Sequence, residues 1–446
     1  MHVSLPPLAS TVFVVALLAP SAAALGVGDV WVVDDGGGPG VDFTQIAAAI
    51  QAAAPGDLVL VEPGTYGGFI MNGKPVSIVA EVEGTVVCQG GVSVRSMPAG
   101  SSVSIRGLRT VGALEDGIQV KSCQGRVWIE ACEFEGAQGD GTFVDPNAHP
   151  RGYHGANVVA CTSVAFVRCE LRGGRGSDYV PLQVAPGDGG DGAYVDGSSV
   201  AFHECVLTGG GGGHVNDDDA AWTGPDGGRG LEVETGTATA SGSALRGGEG
   251  GIGGEDFDIF QGFLCGDGGD GGDAVGQDPF FAGTADVHLL ACTLVPGIGG
   301  PPYPGASCSS GDDGVPIGMS FGTATVSSDR SFAHVVSSPV REGGTIQFTV
   351  DGEPGALVAM TVAAAPWFGY DAFLQGAVLV DPSSLVLLFL APVPAGGSLG
   401  VAVPANLAVA AGQGRTFFTQ PACFSFATGA PVAGSGSWLV VLDAAF

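Results

Sequence analysis

The residues of this 446-residue chain whose types and spacing could do chemistry are clustered aspartates, a handful of aromatics and ten cysteines. The aspartates sit among glycines, in Gly266-Asp-Gly-Gly-Asp-Gly-Gly-Asp273, Asp217-Asp-Asp219 and Gly187-Asp-Gly-Gly-Asp191. Hard cations such as calcium take carboxylate and carbonyl oxygens held on turns that glycine permits. Asp267, Asp270, Asp273, Asp217, Asp218 and Asp219 are therefore candidate calcium ligands, and the bland reading of the same residues is solvated turns. Residues Gly268–Gly276 satisfy the calcium-binding pattern Gly-Gly-x-Gly-x-Asp-x-apolar-x, but once only, whereas an array needs tandem copies. Tyr153, Tyr179, Trp222 and Phe257 lie in the same glycine-rich stretches, where they could stack on sugar rings or pack against their support. Zinc is disfavoured, because there is no Cys-x-x-Cys pair and the seven histidines are scattered.

The cysteines expose the elements that must carry these residues. Val127-Trp-Ile129-Glu-Ala-Cys132, Val164-Ala-Phe166-Val-Arg-Cys169, Val200-Ala-Phe202-His-Glu-Cys205 and Val287-His-Leu289-Leu-Ala-Cys292 share one pattern, with Ser243 at the cysteine position of a fifth copy. Upstream strands open at Gly117, Gly155, Gly192 and Gly230, which are 38, 37 and 38 residues apart. Apolar residues two apart point to one face of a strand. So short a strand buries that face only by stacking on copies of itself. The expected fold is all-β, a parallel β-helix with Cys132, Cys169, Cys205, Ser243 and Cys292 in an inward column of small buried groups. A coil needs about two dozen residues, as the step from Leu108 to Cys132 shows. Each repeat therefore carries an extra loop, and the loops should align on one side. Cys265 and Cys308 are the most plausible disulfide pair, Cys123 and Cys161 could also pair, and Cys88 and Cys423 have no evident partner.

The N-terminal entry adds a signature. Asp42–Ala54 reads as an amphipathic helix with Phe43, Ile46 and Ile50 on one face, stopped by Pro55-Gly56-Asp57. The strand Leu58–Val61 and the turn Glu62-Pro-Gly-Thr-Tyr66 follow. Together these resemble the opening of the pectin-lyase-like right-handed β-helix superfamily, over roughly residues 28–300. The resemblance implies a right-handed solenoid whose first edge is protected by a capping helix. It does not fix an activity, because that superfamily hosts lyases, esterases, hydrolases and non-catalytic surface proteins. The lysines Lys74 and Lys121 do not fit a hydrolase motif, and Asp256 and Asp258 are read as part of a turn rather than as catalytic acids. No catalytic residue is assigned.

Composition bounds the function. With 15 Lys+Arg against 45 Asp+Glu, and a pI near 4.2, the chain would repel nucleic-acid phosphates. Collagen is excluded, because the 79 glycines show no every-third-residue period. Residues 11–19 and the following Ala-rich run resemble a secretory signal, cut after Ala24. No other segment is apolar enough for a transmembrane helix. The expected organisation is a signal peptide over 1–24, the β-helix over 25–300, a linker over 301–314 and a C-terminal β-sandwich over 315–446. A monomeric protein, secreted or at the cell surface, follows from this reading. Its expected role is non-catalytic binding or adhesion toward polysaccharide. The alternative is an enzyme acting on uronic-acid polymers, a lyase or an esterase. Of the 45 acids, 25 fall within residues 136–313, which makes that stretch the place to look for function.

Overall fold

The computed structural model describes residues 13–14, 26–113, 115–140, 150–179, 186–215, 222–258, 262–278, 283–302, 308–328, 331–426, 429 and 431–446. The chain is nearly all-β and divides into two units, Gly28–Ser328 and a second that contains Asp329–Phe446.

Three parallel ladders build the larger unit. The first stacks Gly26–Val33, Leu58–Val61, Ser77–Ala80, Ser102–Arg106, Arg126–Glu130, Ser163–Val167, Ser198–His203, Gly236–Ser241, Ala285–Leu290 and Gly322–Ser327. The second runs from Gly64–Asn72 through Val86–Arg95, Leu108–Val111, Glu133–Glu135, Glu170–Arg172, Val206–Thr208 and Ala244–Arg246 to Thr293–Val295. The third branches from Val86–Arg95 through Ile118–Lys121, Ala156–Val159, Ala193–Asp196, Leu231–Val233 and Val275–Gly276 to Ile317–Gly318. Register is fixed by apolar columns: Ile105, Ile129, Phe166, Phe202, Ala240 and Leu289 sit one above another, all buried. A one-residue slip would turn that whole column outward, so burial specifies the pairing.

Left-handed residues close the turns. Ala131, Arg168, Glu204, Gly242 and Ala291 take left-handed φ values of 51–58°, each immediately before the cysteine-column residue. Four of the five are not glycine, so the bends are held by their surroundings rather than by backbone freedom. The column residues accept the amide of the preceding repeat: Cys169 N donates to Cys205 Sγ at 3.4 Å, and Cys205 N to Ser243 Oγ at 3.1 Å. A second column, Cys123, Cys161 and Ser198, works the same way at 3.4 and 3.0 Å. Cys123 and Cys161 are thus adjacent free thiols, not a disulfide.

The expected helix is present over Ile46–Ala52 with Ile46, Ala49 and Ile50 buried. Lys74 Nζ donates to its last carbonyls, Ile50 O at 2.9 Å and Gln51 O at 2.6 Å, where a cation also meets the negative end of the helix dipole. In the Pro-Gly-Asp stop, the Asp57 carboxylate accepts from Ala54 N and Trp31 Nε1 at 2.7 and 2.9 Å.

The described residues 308–314 of the expected linker belong to the larger unit. Gly311 and Gly314 hydrogen-bond Gly300 and Gly297, and Gly322–Ser327 extends the first ladder, so the larger unit runs to Ser328. Proline and glycine there serve packed extended chain, which composition alone does not distinguish from a tether.

In the second unit, Thr345–Asp351 pairs antiparallel with Ala333–Val336 and Ser398–Pro404. A second sheet joins Leu357–Ala363, Val386–Pro392, Gln413–Phe424 and Ser437–Leu442. Phe348 of the first sheet meets Phe389 of the second edge-on at 5.9 Å. Of the expected signal segment, only Phe13–Val14 is described, pairing antiparallel with Val386–Pro392.

His203 gives a pH prediction. Its ring is fully buried with neither nitrogen hydrogen-bonded, and burial pushes its pKa down from 6.5 to about 4. Between those values the unfolded chain binds the proton and the folded chain does not. Stability is therefore complete above about pH 6.5 and falls, by about 3 kcal/mol in all, as the pH drops toward 4. Urea unfolding at pH 7 and pH 4.5 should show this loss for wild type and a smaller one for His203→Phe.

Candidate functional site

The insertions after the second ladder are not irregular loops. Each goes out along one arm (residues 136–139, 173–179, 209–215, 247–254 and 297–302) and returns along another (150–155, 187–192, 222–230, 266–274 and 311–315). Among outbound arms, Gly173, Gly176 and Tyr179 donate to Thr208 O, Gly211 O and His214 O of the next repeat, at 2.8, 2.9 and 2.8 Å. Gly209, Gly212 and Val215 repeat the pattern one step on. Between arms, Gly174 donates to Tyr153 O, Gly190 to Gly174 O and Gly210 to Gly190 O, at 2.7–2.8 Å. Bonds to a given neighbour recur every third residue, the period of an extended polyproline-II chain.

This packing dictates the glycines. A Cβ added at Gly174, Gly190, Gly210, Gly228 or Gly248 would overlap a carbonyl oxygen of a neighbouring arm. None of these five glycines has a left-handed φ, so they are required for close approach rather than for turning. The Gly-Gly-x triplet is therefore a local period of three, hidden in a chain with no such period overall.

Aspartate fills the third position for a related reason. Asp188 Oδ1 accepts Asp226 N, Asp226 Oδ1 accepts Asp270 N, and Asp270 Oδ1 accepts Asp312 N, at 2.9, 2.9 and 2.8 Å. Asp267 and Asp273 accept Ser309 N and Val315 N, at 2.7 and 2.8 Å. Each carboxylate satisfies an amide one repeat away. Asp267, Asp270 and Asp273 recur on one side of their arm about 9 Å apart, at 3.1 Å per residue, too far for two of them to share one ion. The structure thus gives these three candidate ligands a structural task. Asp217, Asp218 and Asp219 lie outside the described residues.

Side chains of the return arms meet the outer face of the third ladder. Asp191, fully buried, accepts from Arg229 N at 2.7 Å and from the Arg151 guanidinium at 2.8 Å. His154 Nδ1 lies 3.0 Å from Asp191 Oδ2 and 3.2 Å from Asp191 N, so it donates to the first when Nδ1 carries a hydrogen and accepts from the second when it does not. Glu232 pairs with Arg229 at 2.5 Å and with Arg151 at 3.4 Å. Tyr194 stacks on His154 at 5.0 Å. Burial alone would raise Asp191, but Arg151 and His154 outweigh it and hold that carboxyl well below its usual range. Burial, with the Asp191 charge beside it, pushes Glu232 up against the opposing pull of Arg229 and Arg151. Glu234 and Asp278 bring carboxylate oxygens within 4.8 Å of that of Glu232. Sequence reading missed this network. Its one legible signal is that Asp116, His154, Asp191 and Arg229 recur at steps of 38, 37 and 38.

Among the expected sugar-stacking residues, the structure brings two together. Tyr179 and Trp222 have ring centroids 5.7 Å apart at the outer ends of an outbound and a return arm, and Trp222 is 47% exposed. Tyr153 is half-buried. The side chain of Phe257 lies outside the described residues; its backbone pairs in the hairpin Glu255–Asp258 with Gly262–Cys265. Asp256 and Asp258 are on the same hairpin strand. Cys265 and Cys308 form a disulfide between successive return arms, with Cα atoms 5.9 Å apart. No helix among the described residues is long and apolar enough to cross a membrane. No protein-family model matches the chain, and no curated protein matches it.

Proposed function

We propose that this chain is an extracellular glycan-binding protein, a right-handed parallel β-helix of the pectin-lyase-like type whose arms present an aromatic platform. In this reading the helix Ile46–Ala52 caps the first coil and the C-terminal unit is a β-sandwich. Three parallel ladders with a repeat near 37 residues support the solenoid, and right-handed crossover between parallel strands is the strong rule. The helix's buried Ile46, Ala49 and Ile50 support the cap, and the Phe348–Phe389 contact between antiparallel sheets supports the sandwich.

The observation that carries the function is the Tyr179–Trp222 pair. An exposed indole beside a second ring offers the apolar face that sugar rings stack on. The arms beneath are hydrogen-bonded every third residue, so little ordering entropy remains to be lost on binding. Residues 136–313 carry 25 acids against 6 Lys+Arg, a field that repels polyanions, so the favoured ligand is a neutral glycan.

The test is binding of the full chain to a panel of neutral polysaccharides, with polygalacturonate and alginate beside them. Retention on a neutral glycan is expected, with Trp222→Ala and Tyr179→Ala each weakening it about tenfold, near 1.4 kcal/mol, and leaving circular dichroism unchanged. Unaltered binding in both variants would overturn the platform. Unsaturated product released from the uronates would replace it with the enzymatic alternative.

A further inference from the structure

We propose that Glu232, Glu234 and Asp278 form a calcium site that clamps one repeat of the solenoid to the next. Glu232 and Glu234 belong to the repeat of the strand Leu231–Val233, and Asp278 follows the strand Val275–Gly276, which pairs with it in parallel. The three carboxylates each bring one oxygen within 4.8 Å of the others. That spacing fits oxygens on a single sphere of radius about 2.4 Å, the calcium–oxygen distance.

A second observation is independent of that clustering. Glu234 is 2% exposed, and its Oε2 is buried with no hydrogen-bond partner. Its other oxygen accepts Asp278 N at 3.2 Å, which fixes the carboxylate beside the next repeat. An unpartnered carboxylate oxygen in the interior costs several kcal/mol unless a cation meets it. The donor set is all oxygen, which selects a hard cation over zinc or copper. Three carboxylates drawn from two repeats suit the irregular shell of calcium better than the strict octahedron of magnesium.

The clamp has a structural consequence. Gln277 Nε2 already ties the two repeats by donating to Glu234 O and Gly283 O, both at 2.9 Å, ahead of the strand Ala285–Leu290. A cation on Glu234 and Asp278 would complete the tie at the carboxylates. This role is separate from the aspartates of the arms, whose oxygens serve neighbouring amides.

Titration calorimetry of the chelator-treated full chain with calcium chloride, beside magnesium chloride, tests the site. One calcium per chain is expected, with a calcium-dependent rise in melting temperature. Glu234→Gln should abolish both. Asp278→Asn should weaken binding at least tenfold, and serves as the readout should Glu234→Gln fail to fold. Asp270→Ala should bind calcium as wild type does. Absence of calcium binding by wild type, or wild-type affinity in Asp278→Asn, would overturn the proposal. So would a loss confined to Asp270→Ala.

Discussion

Gly210→Ala is expected to destabilise the larger unit by about 3 kcal/mol, whereas Gly211→Ala, one residue along, should cost nothing or stabilise by about 0.5 kcal/mol. The run Gly209–Gly213 is five glycines that the sequence does not distinguish. In the bundle they are not equivalent. A Cβ on Gly209, Gly210, Gly212 or Gly213 would overlap a carbonyl oxygen of another arm, but at Gly211 the nearest atom is Glu249 O, at 3.6 Å. Gly210 also donates its amide to Gly190 O at 2.7 Å, so pushing the arms apart loses a hydrogen bond along with close packing. The clash is with backbone on every side and cannot be relieved by a rotamer change. Gly211 has no left-handed φ, so alanine there mainly restricts the unfolded chain. Denaturant midpoints of the two variants, with unchanged slope, measure the difference. Equal midpoints would mean that the arms lack the three-residue register.

Asp191→Ala is expected to cost about 3 kcal/mol, the lower end of the range for breaking a buried ion pair, because the Arg151 side chain keeps 43% of its exposure and can recover some hydration. The substitution strands the Arg229 amide and takes the nearest carboxylate from the His154 ring and from the Arg151 guanidinium, which keeps Glu232 at 3.4 Å. Glu232 would lose its charged neighbour but keep Arg229. Asp191→Asn retains an oxygen for the Arg229 amide and should cost about half as much. Asp188→Ala is the control. Asp188 also accepts a next-repeat amide, Asp226 N at 2.9 Å, but at an exposed position, so water replaces it at about 1 kcal/mol or less. Equilibrium urea unfolding ranks the three. An Asp191→Ala cost no larger than that of Asp188→Ala would show that the charge network adds nothing beyond the amide bond.

How far the sequence could be read depends on the range of the interactions involved. Val127, Ile129 and Cys132 with their copies announce strands, an inward face and stacking, because alternation is a local property and the repeat supplies the partner. The helix at Ile46–Ala52 and its Pro-Gly-Asp stop are local in the same sense. The insertions defeated that reading. Glycine and aspartate there have the composition of solvated turns, and only contacts between arms, many of them from different repeats, turn them into a hydrogen-bonded bundle. The Cys265–Cys308 pairing, the most plausible one on sequence, is the disulfide that forms. The acid trio was not, because Glu232 and Glu234 read as ordinary strand residues until Asp278 of the following repeat lies beside them.

By itself, then, the sequence determined the all-β class, the repeat length, the inward apolar columns and the acidic stretch that they carry. Those follow from hydrophobic periodicity, which each segment states for itself. Tertiary structure alone decided which glycine in a run is indispensable, which aspartate is spent on a neighbour's amide and which carboxylate oxygen is left buried without a partner. The reason is that satisfaction of a polar group and room for a single carbon are properties of the neighbouring repeat, which no segment of the chain encodes alone.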